Sequence, residues 1–585
     1  MSIADVRDRV IAADPGLVRL YMAMRATAAV GTALGLLLAL RSALHFPLTV
    51  PLLGAALGMT WTISVNDLTL REQRSTTLAL WPAAALCVTV GTLTAANRYL
   101  SDSLFVGTLF LSIYARRYGP RGAALGTIGV IAFFFALFLH AAARDVPWLV
   151  LALAITALCT YAYRFIIFPD RPRLALANAL AAFQARQRLI ERARTVEQRT
   201  HHLYRLNEIA LILDDLLAAP RDRRTVLQAE IAAACGASEP LRVDPSAPVR
   251  SDWTARGPFR IGTTPDTGRI APTTRQAVQL TAAAIPAILI GEFLSPQRWY
   301  WAALAAFVTF LGTSSSGETR VKAWSRVFGT ALGVVAGIVV AYPVRGHDTL
   351  AFCLVLVCLF AAVYTVRLSY AVMIFFLTIL LSMLYVLLGL FSDQLLLLRL
   401  EETALGAVFG GLAASVVLPI PTGQVLLNVS REALQRLNRF IEAAVRRLTG
   451  DQTADPLTAL RTLDEALQSV RTQIEPLVAQ RHLARISNLR MRLTLLMACG
   501  HYARALADLA YEGDSDSPAT ELERLRERIA TDIGIVVTAD QTHAASLAAP
   551  ESPPQHAGKA LTYLYRIDAI IHKLAKTLAP PVQTG

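Results

Sequence analysis

The sequence predicts an all-α, polytopic membrane protein: two parallel transmembrane blocks of about six helices each, every block followed by a helical soluble domain. Three observations predict it. Of 585 residues, 54% are hydrophobic and only 17% charged, and mean hydropathy is +0.45, too apolar for an ordinary soluble chain. The same landmarks recur at an offset of about 250 residues, as in many proteins built from membrane repeats. Arg25 answers to Arg275, Ser64 to Asp67 answers to Ser315 to Glu318, Arg74 to Arg326, Arg116 to Arg367, and Pro169 to Pro419. Third, the basic residues fall unevenly among the loops, which orients both blocks the same way.

The apolar runs come in order. The first block has them near 20–40, 46–64, 77–96, 103–115, 122–142 and 147–168; the second has them near 276–294, 299–315, 325–343, 349–366, 369–391 and 395–418. Several fall short of the roughly 20 residues that cross about 30 Å of hydrocarbon, so tilted, broken or partial spans are expected among them. With the N-terminus inside, the inward loops hold Arg71, Arg74, Arg116, Arg117, Arg121, Arg320, Lys322, Arg326 and Arg367. The outward loops hold only Arg41, Arg98, Arg144, Arg298, Arg345 and Arg399. The denser side is the cytoplasmic one, and an even number of spans per block makes the repeats parallel.

Four regions follow: a first transmembrane block over 1–169, a cytoplasmic helical region and linker over 170–274, a second transmembrane block over 275–419, and a C-terminal cytoplasmic bundle over 420–585. In the first soluble region Val196, Leu203, Leu206, Ala210, Leu213 and Leu217 recur at spacings of three and four, the seam of a packed helix. Residues 237–272 are rich in Pro, Gly and Ser and read as an extended linker. In the C-terminal region Leu460, Leu463, Leu467, Val470, Ile474 and Leu477 make an a/d repeat, and the stretch before the last helix reads as a loop. The N-terminal MSIADVRDRVIAADPGL lacks a signal-peptide core, so the first span is expected to direct insertion.

Several function classes find no support. The net charge of +13 is carried almost entirely by Arg and fits inward loops better than nucleic acid. The six Cys are scattered without a CxxC pair and no His cluster accompanies them, so neither a metal nor another cofactor is expected. Gly312 to Thr319 has the glycine spacing of a phosphate loop, but Glu318 stands where the Lys is required. No nucleophile with its base and no dinucleotide fingerprint is present, so the chain is not read as an enzyme.

Membrane chemistry supplies the candidates. A carboxylate in a low-dielectric passage needs a cation or a helix N-terminus, and Arg25 and Arg275, at matched depth, are candidate substrate ligands together with Arg326. The alternative for the first two is snorkelling to lipid phosphate. Asp67 and Glu318 form a matched acidic pair, suited to proton coupling, to gating with Arg74 and Arg326, or simply to helix capping. Glu401 and Glu402 lie inside the last span beside Arg399; helix neighbours diverge by about 100°, so one of the two is expected to face the bundle, as a proton-coupling or gating group or as a structural ion-pair partner of Arg399 or another span. Trp299, Tyr300 and Trp301 read most simply as an interfacial belt, with Trp301 a candidate stacking surface for an aromatic substrate. Gly31 and Gly35, Gly329, Gly333 and Gly337, and Gly406 and Gly410 make small-residue helix faces.

The runs Gln297 to Ala302, Gly312-Thr313 with Gly317-Glu318-Thr319, Arg326 to Gly333 and Arg399 to Gly406 resemble the membrane block of the fusaric acid resistance protein family, whose better-studied branch is the aromatic carboxylic acid exporters. The resemblance is sharpest over 275–419 and fainter over 20–169. It implies a multi-pass efflux component of the bacterial inner membrane that exports small aromatic acids or related toxic compounds, often beside a periplasmic adaptor protein. The partners expected are thus a small organic acid, the lipid bilayer and such an adaptor, with a homo-oligomer favoured by the Gly faces and heptads. Export can be driven by the membrane potential, by protons, or by both. Two further readings stay open: an anion-conducting channel with cytoplasmic regulatory domains, and a membrane-anchored scaffold.

Overall fold

Apolar runs too long to leave water-exposed, interrupted by Gly, Pro and capping residues, dictate a chain of helices, and helices are what the computed structural model contains. It describes residues 3–237, 241–250, 253, 270–295, 298–478, 486–514, 516–538, 549–554 and 556–578. Gln297, most of the expected linker and residues 539–548 of the expected loop lie outside the described residues. In chain order the helices are α1 (Ile3–Ile11), α2 (Val18–Leu44), α3 (Thr49–Ser64), α4 (Leu70–Thr94), α5 (Arg98–Tyr114), α6 (Gly119–Leu139) and α7 (Val146–Ala162). Then come α8 (Pro172–Glu191), α9 (Val196–Leu216), α10 (Pro220–Cys235), α11 (Pro272–Leu294), α12 (Tyr300–Phe310), α13 (Ser316–Val344), α14 (Asp348–Thr365), α15 (Tyr370–Leu387) and α16 (Asp393–Val416). The last five are α17 (Thr422–Leu448), α18 (Pro456–Val478), α19 (Ile486–Glu512), α20 (Ala519–Thr538) and α21 (Lys559–Leu578).

These fall into two compact units. One comprises Leu17–Arg171 and Asp252–Thr422, the other Met1–Gly16, Pro172–Ser251 and Gly423–Gly585. The first unit contains, among the described residues, eight helical stretches long and apolar enough to cross a membrane, and the chain is a multi-pass membrane protein. Residues such as Leu158, Phe293, Phe328, Val335 and Val339 are exposed on this unit, as lipid-facing side chains must be.

Three of the twelve expected spans fall outside those eight stretches, short runs anticipated from the sequence among them. Helix α12 has 11 residues, about 16 Å at 1.5 Å per residue, half a bilayer core. Helix α3, with 16 residues, is also short. Helix α16 is long enough, but Asp393, Arg399, Glu401 and Glu402 set it apart from the apolar spans. The short helices survive because protein covers them: every residue of α12 but Val308 is buried. Irregular backbone at membrane depth is tolerated only in such a place.

Packing in this unit follows one pattern twice. Helix α4 packs on α6 and α7, and α13 packs on α15 and α16; α3 packs on α7, and α12 on α16; α5 packs on α6, and α14 on α15. Across the halves α5 meets α11 and α14 meets α2. Gly329, Gly333 and Gly337 let α13 approach α15: a Cβ at Gly329 would stand 2.5 Å from the Ala371 carbonyl oxygen, and one at Gly333 would stand 2.6 Å from Thr378 Cβ. Gly406 and Gly410 face α12 in the same way. Gly35 does not follow suit, since a Cβ there would meet nothing within 4 Å.

The second unit is built from amphipathic helices. Leu460, Leu463, Leu467, Val470 and Ile474 of α18 are buried with Leu434, Leu437, Phe440 and Ile441 of α17 in one core. On α9 Leu206, Ala210, Leu213 and Leu217 are buried, but Val196 is 82% exposed because it is the first residue of the helix and lies beyond its packed face. Ion pairs tie α9 and α10 to the later helices: Arg461 with Asp214 (2.9 Å) and Asp215 (2.6 Å), Arg471 with Glu208 (3.1 Å), and Arg224 with Asp508 (2.7 Å). Arg504 serves two carboxylates, Asp464 at 2.5 Å and Glu230 at 3.3 Å. Burial pushes the Asp464 carboxyl up to about 7 against the pull of Arg504. Part of the expected linker also packs here, since Leu241, Val243 and Ala247 are buried and Val249 bridges to Leu217.

Candidate functional site

The interruption between α12 and α13 builds the site. After Phe310 the backbone turns extended at Leu311, and Gly312 takes φ 71°, a left-handed conformation that a side chain disfavours. Ser315 then caps α13, its Oγ accepting from the Glu318 N–H at 3.3 Å while the Glu318 carboxylate accepts from the Ser314 N–H at 2.8 Å. The freed polar groups of the crossing find partners in protein. Gln276 Nε2 donates to the Thr313 carbonyl at 2.8 Å, and Thr319 Oγ1 to Thr313 Oγ1 at 3.1 Å.

Leu311, Gly312, Thr313 and Ser314 form part of the wall of a cavity of about 570 Å³. The first half contributes Ser64 and Asn66 from the corresponding break after α3. Most of the wall is apolar, with Met59, Phe134, Leu304, Val308 and Leu381 among it. Five cationic side chains also line it, Arg116, Arg117, Lys322, Arg326 and Arg399, and among the described residues of the wall there is neither Asp nor Glu.

Four of the five cations have these partners. Arg116 Nη1 donates to the Phe310 carbonyl at 3.1 Å and to Gln276 Oε1 at 3.3 Å. Lys322 donates to the Leu311 carbonyl and lies 4.8 Å from the centre of the Tyr370 ring. Both therefore sit at the C-terminal end of α12, where the helix leaves carbonyls unpaired and the dipole favours positive charge. Arg326 Nη1 donates to the Tyr370 hydroxyl at 3.4 Å. The Arg399 guanidinium lies 4.4 Å from the centre of the Trp301 ring, and Trp301 in turn meets Phe134 at 4.6 Å. Lys322 and Arg326 are four residues apart on one helix face, and like charges about 6 Å apart repel by about 3 kcal/mol at an effective dielectric of 20. Carbonyl caps offset part of that, and the Glu318 carboxylate, which acts electrostatically on both Lys322 and Arg116, offsets more.

The residues predicted from sequence divide. Arg326 and Trp301 line the cavity; Arg25 and Arg275 are not in its wall. Arg25 is buried on α2 and paired with Asp170 at 2.7 Å, a partner that no spacing pointed to. Arg275 is half-buried in the first turn of α11, next to the cavity residue Gln276. Asp67 is buried outside the wall, its carbonyl accepting from Gln73 Nε2 at 3.0 Å. The matched pair of Asp67 with Glu318 is corrected by the caps. In the first half Thr69 caps α4, with the Glu72 carboxylate accepting from the Thr69 N–H at 3.2 Å. Glu72, not Asp67, therefore holds the place of Glu318, because a capping box fixes the acidic residue three positions after the cap.

Glu401 is exposed, whereas Glu402 is 1% exposed with Oε1 free of any hydrogen-bond partner. The interfacial belt is overturned. Trp299, Tyr300 and Trp301 are 6%, 3% and 5% exposed, packed on Phe105, Phe134 and Phe138, because α12 is enclosed by protein and never meets the bilayer surface. Arg117 and Lys322 entered the sequence reading as inward-loop charges, Arg116 as one of these and as a repeat landmark, and Arg399 as an outward-loop charge and ion-pair partner. A signal for Lys322 and Arg326 existed in the i, i+4 spacing once the Ser315 cap places them inside α13.

Residues 286–413, the second membrane block, match the fusaric acid resistance protein-like family. That segment holds Trp301, Lys322, Arg326, Tyr370 and Arg399 of the cavity wall. No curated protein and no solved structure matches the chain.

Proposed function

We propose, from a second membrane block of the fusaric acid resistance protein-like type, that this chain is an inner-membrane efflux transporter for small organic acids, aromatic carboxylates among them. One observation carries the reading: an apolar cavity of about 570 Å³ whose wall holds five cations and no carboxylate. Such a volume lies within the range of small-molecule pockets. Its apolar wall offers an organic ring its burial, and the cations compensate the hydration that a carboxylate leaves behind. A cationic substrate would meet repulsion from the charges of the wall.

The two blocks act as parallel repeats that rock against each other, a reading supported by the twofold recurrence of helix pairs and by the swapped α5–α11 and α2–α14 contacts. The loop charges favour a cytoplasmic position for the helical unit and entry of the anion from that side. With the cell interior negative, outward movement of a monoanion gains about 2.3 kcal/mol per 100 mV, so export needs no nucleotide.

The test is efflux of labelled 4-hydroxybenzoate from cells at matched expression, with the proton gradient and the potential collapsed separately. Wild type exports, Arg326→Gln and Lys322→Gln lose at least tenfold in rate, and collapse of the potential slows the wild type. Export by both variants at the wild-type rate would overturn the site. An ohmic, unsaturable current carried by the same anion would make the protein a channel instead.

A further inference from the structure

Close packing of α13 on α15 brings an aromatic hydroxyl to the cations of the cavity. Gly329 lets the start of α15 lie against α13, where a Cβ would stand 2.5 Å from the Ala371 carbonyl oxygen. Arg326 lies three positions before Gly329 and so on the same helix face, and Tyr370, just before Ala371, is the first residue of α15. The two side chains therefore meet. Lys322, one turn before Arg326, reaches the same ring.

Tyr370 has three capacities, and two are in use. Its ring face lies 4.8 Å from the Lys322 ammonium, and its hydroxyl oxygen accepts from Arg326 Nη1 at 3.4 Å. The third is the O–H. A phenol oxygen that accepts from a guanidinium turns its own proton away from that group, and among the described residues no carbonyl or carboxylate takes the proton. Tyr370 lines the cavity with Lys322 and Arg326, in a wall whose described residues include neither Asp nor Glu. The acceptor that fits this donor is one the cavity takes in.

The first half has no counterpart. At the offset that relates Arg116 to Arg367, Tyr370 answers to Gly119, the first residue of α6, which also lines the cavity and brings no side chain to it.

We propose that Tyr370 is a third ligand of the anion site: its O–H donates to the substrate carboxylate that Lys322 and Arg326 attract, while its ring and oxygen keep those two cations beside the same anion. This rests on the exporter reading above and adds to it a neutral, directional donor. A carboxylate has about four lone-pair sites, enough for all three groups at once.

Equilibrium binding of labelled 4-hydroxybenzoate to the purified full chain in lipid nanodiscs tests it, with thermal unfolding of each variant as the folding control. Tyr370→Phe keeps the ring beside Lys322 and removes only the hydroxyl. It is expected to weaken binding at least tenfold, because hydrogen bonds to a charged acceptor are the strong ones. Arg326→Met separates a ligand from a mere support for the guanidinium. In that background Tyr370→Phe still weakens binding at least threefold, since the O–H to the carboxylate is lost again. Wild-type affinity in Tyr370→Phe, or a loss that vanishes in the Arg326→Met background, overturns the ligand role and leaves the exporter reading intact. If Tyr370→Phe does not fold, Tyr370→Met replaces it in both backgrounds and is read in the same way. A wild type that binds no carboxylate overturns the exporter reading and this inference with it.

Discussion

The two halves of the membrane unit share a packing plan and differ in what they do with it. In α13 the seventh and eleventh residues are Lys322 and Arg326, both in the cavity wall; in α4 they are Thr76 and Leu80, both buried and neither in the wall. In α16 the seventh residue is Arg399; in α7 it is Ala152. The first half keeps a half-buried cation at its own break, Arg164, but commits it to Gln73 Oε1 at 3.0 Å and the Val65 carbonyl at 3.4 Å, groups that close the break after α3. The two halves thus pack through corresponding helix pairs, while the cations of the cavity wall come mostly from the second. Among the described residues of the wall, Arg116 and Arg117, between α5 and α6, bring first-half charge to the cavity.

That comparison breaks most visibly in transport. Arg326→Gln is expected to cut export of an aromatic carboxylate at least tenfold, while Thr76→Val, an isosteric change in α4, leaves the rate within about twofold, read as initial efflux at matched expression. Equal losses would put the ligand chemistry in both halves. Next in size is Arg25→Gln. It removes the 2.7 Å ion-pair partner of Asp170, a loss of about 1–3 kcal/mol, so thermal unfolding of the purified chain shifts down while substrate affinity of the folded fraction stays unchanged. A change in affinity would return Arg25 to the substrate path.

Glycine substitution sharpens the contrast in packing. Gly333→Ala forces a Cβ against Thr378 and is expected to destabilise by about 1–3 kcal/mol, whereas Gly35→Ala, into open space, is neutral or stabilising by up to about 1 kcal/mol. Denaturation midpoints of the two variants check it. The smallest effect is expected from Glu318→Gln: Gln can still serve the capping box, so stability falls by under about 1 kcal/mol and export persists. Loss of export with stability intact would make Glu318 a proton-coupling group after all.

The helices themselves were legible because runs of apolar residues admit little else, and α16, expected over 395–418, runs from Asp393 to Val416. The starts of α4 and α13 were not read from hydropathy. Apolar character begins near 77 and 325, but Thr69 with Glu72 and Ser315 with Glu318 begin the helices at Leu70 and Ser316. That displacement left Lys322 among the loop charges and so hid it as a cavity cation, while Arg326 was already a candidate ligand. Both capping patterns stand in the sequence and could have corrected it. What no local pattern carries is partnership across distance: Asp170 with Arg25, Arg399 over Trp301, and the enclosure of α12 that takes its aromatic residues out of the interface. Those depend on which helices meet, and the same residues at the end of an uncovered helix would have formed a belt.

The central claim is that the cavity selects for negative charge. Purified protein reconstituted into liposomes, with the potential clamped, can be offered 4-hydroxybenzoate and 4-hydroxybenzylamine, two molecules alike in ring and size and opposite in charge at neutral pH. The account predicts saturable movement of the carboxylate that Arg326→Gln abolishes, and no protein-dependent movement of the amine. Movement of the amine at the rate of the carboxylate, or of the amine alone, would contradict it.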